Sequence, residues 1–240
     1  MTLDSGGYIR DAQDLSDFSV DRLHARPPGY ALFLAVTGST EKPTRALFQS
    51  SLVLHFTAVW LIAVVLHALG VTGLRLTAFG FLLVLPPYTE YAAYVLSETL
   101  SEFLLVVGFS TLVLWFLRRT GLHLLLISGM SFGCSALTRP TYQALALAVA
   151  GFLLVACRAL PDRPFNYGKI VKAGVVLVAG SMFFIGGYSL FNYLKFNFFG
   201  IYTISGFNLS TRTVKVIERL PDEYAAVREA LIKARDTELI

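Results

Sequence analysis

Residues 86–107, PPYTEYAAYVLSETLSEFLLVV, decide how this chain is read. The second half runs on through apolar residues to Arg118, and about 20 such residues at 1.5 Å rise each cross the ~30 Å hydrocarbon core of a bilayer. Counting back from Arg118 puts Glu98 at the hydrocarbon edge and Glu102 about one helical turn inside it. A carboxylate at that depth is costly, and such groups face a water-filled cavity or a partner rather than lipid. On a helix Tyr91, Tyr94, Glu98 and Glu102 share one stripe, with Ser101 beside it. Pro86-Pro87 cuts the preceding apolar stretch short, and broken membrane helices occur where the backbone lines protein or a cavity. The stretch therefore reads as the floor of an outward-opening pocket. The competing reading is that Glu98 and Glu102, with Ser97, only cap the start of the span.

Composition agrees with a bilayer setting. The chain is 55% hydrophobic and 15% charged, where soluble globular domains carry about 25% charged residues. With a mean hydropathy of +0.62 it falls in the polytopic membrane class. Six apolar stretches qualify as spans, at 46–69, 74–94, 96–117, 121–138, 141–158 and 173–194. The expected fold class is all-α, a polytopic transmembrane helical bundle of about six spans with outward-facing juxtamembrane amphipathic helices. Arg75, then Arg118 and Arg119, then Arg158, Arg163, Lys169 and Lys172 fall in alternate connections, which assigns those connections to the cytoplasm. Residues 1–45 are then an extracytoplasmic loop, 46–194 the bundle, and 195–240 a second extracytoplasmic segment. The expected location is the inner (plasma) membrane, with the working face outward.

The opening segment carries acids where a cleavable leader needs an apolar core. Asp14, Asp17 and Asp21 recur at helical spacing, with Tyr8, Ala12, Leu15 and Phe18 on another face, so an interfacial amphipathic helix is expected. YALFLAV, after Pro27-Pro28-Gly29, is too short to cross, and GSTEKPTR at 38–45 is a polar turn. Cys134 and Cys157 lie in apolar stretches without metal-ligand spacing and read as small hydrophobes. His55 and His67, at the two sides of the first span, read as packing residues, and the net charge of +4 implies no nucleic-acid partner.

Candidate chemistry collects on the expected outer side. DSGGY offers Asp4 and Tyr8 beside two glycines that permit close approach of a ligand. RPPGYALFLA adds Arg26 at a rigid turn, with His24 nearby, and LTRPTY adds Arg139 at the end of the fourth span. Arginine suits phosphate because its planar fork is always charged. The blander reading makes both arginines headgroup anchors.

DSGGY, RPPGYALFLA, PPYTEYAAYVLSETLSEFLL, a glycine-rich span ending in LTRPT, and SLFNYLKFNFFG stand in an order that resembles the bacterial GT-C glycosyltransferases related to protein O-mannosyltransferases and lipid A aminoarabinose transferases. The resemblance covers most of residues 4–205, and its specificity lies in the order of five motifs rather than in any one. It implies a multi-pass glycosyltransferase that takes a sugar from a polyprenyl-phosphate donor to a lipid, glycan or protein acceptor on the extracytoplasmic face. It implies Asp4 as general base and Glu98 as second carboxylate. Tyr8, Arg26, Tyr94, Glu102 and Arg139 would bind donor or substrate, with the polyprenyl chain along the second and third spans. The family's first acidic motif is often Asp-Glu-x-x-Tyr; here Ser5 stands in place of the Glu. Two separated acids with no third ligand specify no metal, and a divalent cation is left open. Members of the family also carry a span before the first acid and more spans after the last motif, so this chain is expected to be incomplete or degenerate, and inactive alone. Two rival readings carry over: a non-catalytic membrane scaffold of the same fold, and a proton or solute transporter, which would be built from repeated halves of which the sequence shows no sign.

Overall fold

The computed structural model describes residues 5–17, 19, 26–84, 94–118, 121–159, 167–203, 218 and 221–238. Their regular structure is helical throughout. Among the described residues nine α-helices follow one another: α1 Ser5–Ser16, α2 Gly29–Val36, α3 Arg45–Ala68, α4 Leu74–Val84, α5 Glu98–Arg118, α6 Leu122–Thr138, α7 Leu145–Ala159, α8 Tyr167–Phe196 and α9 Ala225–Glu238. Contacts divide the chain into residues 1–201 and 202–240. The second unit contains α9, preceded by the short 3₁₀ turn Asp222–Tyr224.

Among the described residues three helices, α3, α5 and α8, are long and apolar enough to cross a membrane. The other expected spans are apolar helices of 11 (α4), 17 (α6) and 15 (α7) residues. At 1.5 Å per residue the described helices measure about 17, 26 and 23 Å, and α4 and α7 run to the edge of the described residues, at Val84 and Ala159. Two boundaries also move. The third span starts at Glu98 and not at 96, and the last starts at Tyr167, so Lys169 and Lys172 stand exposed on its first turns rather than in a loop.

α3, α5, α6 and α8 lie side by side in that order, with α4 on α3 and α7 on α8. The tightest contact is α6 against α8, and glycine makes it. A side chain at Gly129 would strike the Leu177 carbonyl, and one at Gly180 would come 2.9 Å from the Leu126 oxygen. Small residues at such crossings let backbones approach in a setting where the hydrophobic effect gives no drive to helix pairing. Ser128 adds a buried hydrogen bond, its hydroxyl donating to the Gly108 carbonyl of α5 at 2.8 Å. Around these contacts Leu112, Trp115, Leu125, Phe132, Val149 and Leu177 form the main apolar core.

A second core sits at one end of the bundle. Ile9 and Ala12 of α1, Tyr30, Ala31 and Leu34 of α2, Leu47 of α3 and Val95 pack together. The turn between α2 and α3 is tied by its own hydroxyls: Thr44 caps α3 by accepting from the Leu47 amide at 3.2 Å and donates to the Thr37 carbonyl at 2.8 Å. The expected opening helix is present over Ser5–Ser16 as α1, with Asp17 beyond its end and Phe18 and Asp21 outside the described residues, and the short YALFLAV segment is in α2. This cap of two short helices positions the site.

Candidate functional site

α5 and α6 run antiparallel, Ser128 donating to the Gly108 carbonyl and Ser135 to the Ser101 carbonyl, so the chain returns to the level at which α5 began. The first residue of α5 and the residue that ends α6 therefore meet across 41 positions of sequence. Arg139, extended at φ −139° and followed by a proline that cannot continue the helix, sets its Nη1 2.6 Å from Oε1 of Glu98. The second carboxylate oxygen, Oε2, is enclosed without a hydrogen-bond partner among the described residues.

The two short helices bring the remaining groups. Ser5 donates its hydroxyl to the Val95 carbonyl at 3.1 Å, and the Tyr8 hydroxyl reaches Oγ of Ser97 at 3.4 Å, so α1 is fastened to the residues just before α5. The Tyr8 ring meets Tyr30 edge-on at 4.9 Å between centroids. On Tyr8 also lies Arg26, its Cζ 5.2 Å from the ring centroid, a cation–π distance. Nη1 of Arg26 is enclosed and lacks a hydrogen-bond partner among the described residues.

Two motif glycines are spacers for this assembly. At Gly7 a side chain would collide with the Arg26 guanidinium. At Gly29 one would come 2.7 Å from the Leu137 carbonyl and 2.8 Å from Oγ1 of Thr138, which is how α2 docks beside Arg139. DSGGY, RPPGY, the residues leading into α5, and LTRP thus converge on one place.

The expected site residues divide as follows. Tyr8, Arg26, Glu98 and Arg139 come together. Glu102 is exposed one turn along α5 from Glu98. Tyr94 is about half exposed and lies in a bend before α5, so it does not continue the helical stripe of Glu98 and Glu102. Asp4 lies outside the described residues, as do His24, Asp21, Pro86-Pro87, Glu90 and Tyr91. His55 faces the Leu83 carbonyl of α4 at 3.2 Å, which makes it a contact between neighbouring helices. Among the described residues no group of three or more His, Cys, Asp or Glu is placed to hold a metal.

Sequence reasoning missed Tyr30, and gave Ser97 only as a cap of the span rather than as a partner of Tyr8. Tyr30 is 2% exposed, and its hydroxyl pKa is raised from the ordinary 10.0, first by burial and then by the nearby Tyr8 and Glu98. Its signal was its place in the RPPGY motif, four residues after Arg26, at the start of α2.

The cluster joins two guanidinium groups, a half-satisfied carboxylate and two phenols at the end of an apolar bundle. Paired guanidinium groups in such a setting have the chemistry to bind an oxyanion, and a carboxylate beside them can accept a proton or hydrogen bond from a hydroxyl or amine. No family model, curated protein or solved structure matches the chain.

Proposed function

We propose that the chain is part of a GT-C-type membrane glycosyltransferase that moves a sugar from a polyprenyl-phosphate donor to a lipid, glycan or protein acceptor on the extracytoplasmic face. The single observation that carries this reading is the convergence just described: four sequence motifs, spread over more than 130 positions, supply Tyr8, Arg26, Glu98 and Arg139 to one cluster. Unrelated headgroup anchors would have no reason to share a ring, a hydroxyl and an ion pair.

In this reading Arg26 and Arg139 hold the donor phosphate and stabilise it as it departs. Asp4, which precedes Ser5 in sequence, takes the proton of the acceptor, and Glu98 orients the acceptor. Glu102 lines the way in. The apolar chain of the donor takes a groove of about 200 Å³ between α3 and α5, lined by Ile62, Val65, Leu66, Leu105, Val106 and Phe109 among others. That is the first and third spans, in place of the second and third expected from the sequence. Leu105 and Phe109 follow Glu98 by seven and eleven residues and so continue its stripe down α5, a polar head above an apolar track.

The chain reconstituted in nanodiscs should bind a polyprenyl-phosphate-linked sugar and discriminate against the neutral polyprenol, with Arg139→Ala losing roughly tenfold for the loss of one charge-assisted contact. Equal binding of the phosphate and the alcohol would remove the phosphate site. Dissipation of a proton or solute gradient in proteoliposomes, without donor binding, would favour transport instead.

A further inference from the structure

The Arg139–Glu98 pair differs from a permanent structural bridge. One carboxylate oxygen meets the guanidinium, Oε1 at 2.6 Å from Nη1, while Oε2 is enclosed and unsatisfied among the described residues. An arginine fork can match both oxygens of a carboxylate with two parallel bonds. Here the match is half used, and an unsatisfied buried acceptor is a standing cost. Both side chains also keep about a third of their surface open, 35% for Arg139 and 29% for Glu98, so an incoming ligand can reach the pair. Bridges this exposed add little to stability and are readily exchanged. A second cation stands in the same cluster: Arg26 lies over the Tyr8 ring with Nη1 unpartnered among the described residues, and the Tyr8 hydroxyl touches Ser97, the residue before Glu98.

We propose that Glu98 holds on Arg139 the place of a ligand oxyanion, so that a phosphate-type anion must displace the carboxylate to bind, and the displaced carboxylate becomes available to a hydroxyl or amine of the second substrate. This rests on reading the cluster as the anion site of the donor, and adds to it an order of events. The acceptor-binding carboxylate is withheld until the anion is seated. Because coupling between two binding events is reciprocal, an acceptor held by the freed Glu98 also tightens the anion on Arg139.

The sign of one substitution separates this device from a positioning role. Gln keeps the shape of Glu and loses its charge. If Glu98 competes with the anion, Glu98→Gln raises anion affinity, by about three- to tenfold, the range of a weak, partly exposed pair. If Glu98 instead holds Arg139 in place, the same change lowers it. The full chain in nanodiscs is titrated with inorganic phosphate and, separately, with farnesyl monophosphate, for wild type, Glu98→Gln, Arg139→Ala and the double variant; retained thermal unfolding confirms that each is folded.

The expected result is a tightening in Glu98→Gln that disappears in the Arg139→Ala background, as a pairwise coupling must. Tightening for farnesyl monophosphate alone assigns the site to a lipid phosphate, and tightening for both probes to phosphate in general. Affinity unchanged or weakened by Glu98→Gln overturns the proposal while the donor reading stands. Equal tightening with and without Arg139 also overturns it, because the effect is then the general field of a removed charge. If neither wild type nor Glu98→Gln binds either probe, the anion-site reading fails and this proposal with it.

Discussion

The guanidinium of Arg26 fills the space that a side chain at residue 7 would need, so Gly7 and Arg26 are two halves of one fitting. The neighbouring Gly6 has nothing within 4 Å of the corresponding position. Both glycines lie inside α1, where replacing Gly with Ala ordinarily stabilises a helix by about 0.5–1 kcal/mol.

The two substitutions should therefore part ways. Gly6→Ala raises thermal stability by that margin and leaves anion binding alone. Gly7→Ala forces Arg26 off the Tyr8 ring and lowers affinity for a prenyl phosphate as far as Arg26→Ala does, about tenfold for one charge-assisted contact. Titration of both variants with farnesyl monophosphate checks this, and equal affinities for Gly6→Ala and Gly7→Ala would show that Arg26 has no part in binding.

Tyr30 supplies a pH dependence with a definite sign. Its hydroxyl pKa is raised above the ordinary 10.0, chiefly by burial, with Tyr8 and Glu98 adding to it. The folded state thus keeps a proton that the unfolded state gives up, and the stability this group contributes is complete below pH 10 and declines as pH rises above it. Thermal unfolding between pH 9 and 11.5 should fall more steeply for wild type than for Tyr30→Phe, which has no proton to lose. Parallel curves would mean that the Tyr30 hydroxyl ionises as easily folded as unfolded.

What the sequence disclosed and what it hid follow from how local each feature is. The spans α3, α5 and α8 were legible because hydrophobicity over about 20 residues is a property of one segment. So was α1, whose buried Ile9 and Ala12 follow helical periodicity. Arg139 and Glu98 could each be picked out by chemistry, yet their pairing could not, since it depends on two antiparallel helices returning the chain to one level. Tyr30 looked like part of an apolar run and became central only because α2 folds over Tyr8. Tyr94 was placed on the α5 stripe because periodicity was extended back past the true helix start at Glu98.

Orientation rests on charge in the connections and is open to direct test. Glu41, exposed in the turn before α3, should lie outside, and Thr72, exposed in the turn after it, should lie on the side of Arg75, within the cytoplasm. In a variant lacking Cys134 and Cys157, a cysteine at Glu41 should react with an impermeant maleimide on intact cells, and one at Thr72 only after lysis. The reverse pattern would turn the site inward and remove an extracytoplasmic donor from consideration.

In the proposed reading the groove between α3 and α5 takes the tail of the donor and the charged cluster its head. Its lining begins at Leu105, seven residues and about 10 Å along α5 from Glu98, and continues to Val113. A phosphate held by Arg139 would sit at the mouth, and only the hydrocarbon would extend to Val106. Affinity gained from chain length then comes from apolar burial in this groove, at about 25 cal/mol per Å². Val106→Trp fills the cavity without touching the charged cluster. It should cost about tenfold in affinity for a long-chain prenyl monophosphate, less for the farnesyl compound and nothing for inorganic phosphate. The measurement is a series of titrations across chain length in nanodiscs of one lipid composition. A uniform loss for all probes would mean that the substitution had disturbed the bundle rather than the tail site. No loss at any length would place the chain elsewhere, with the apolar cleft between α7 and α8, lined by Ala150, Leu154, Ile170 and Gly174, as the next position to fill.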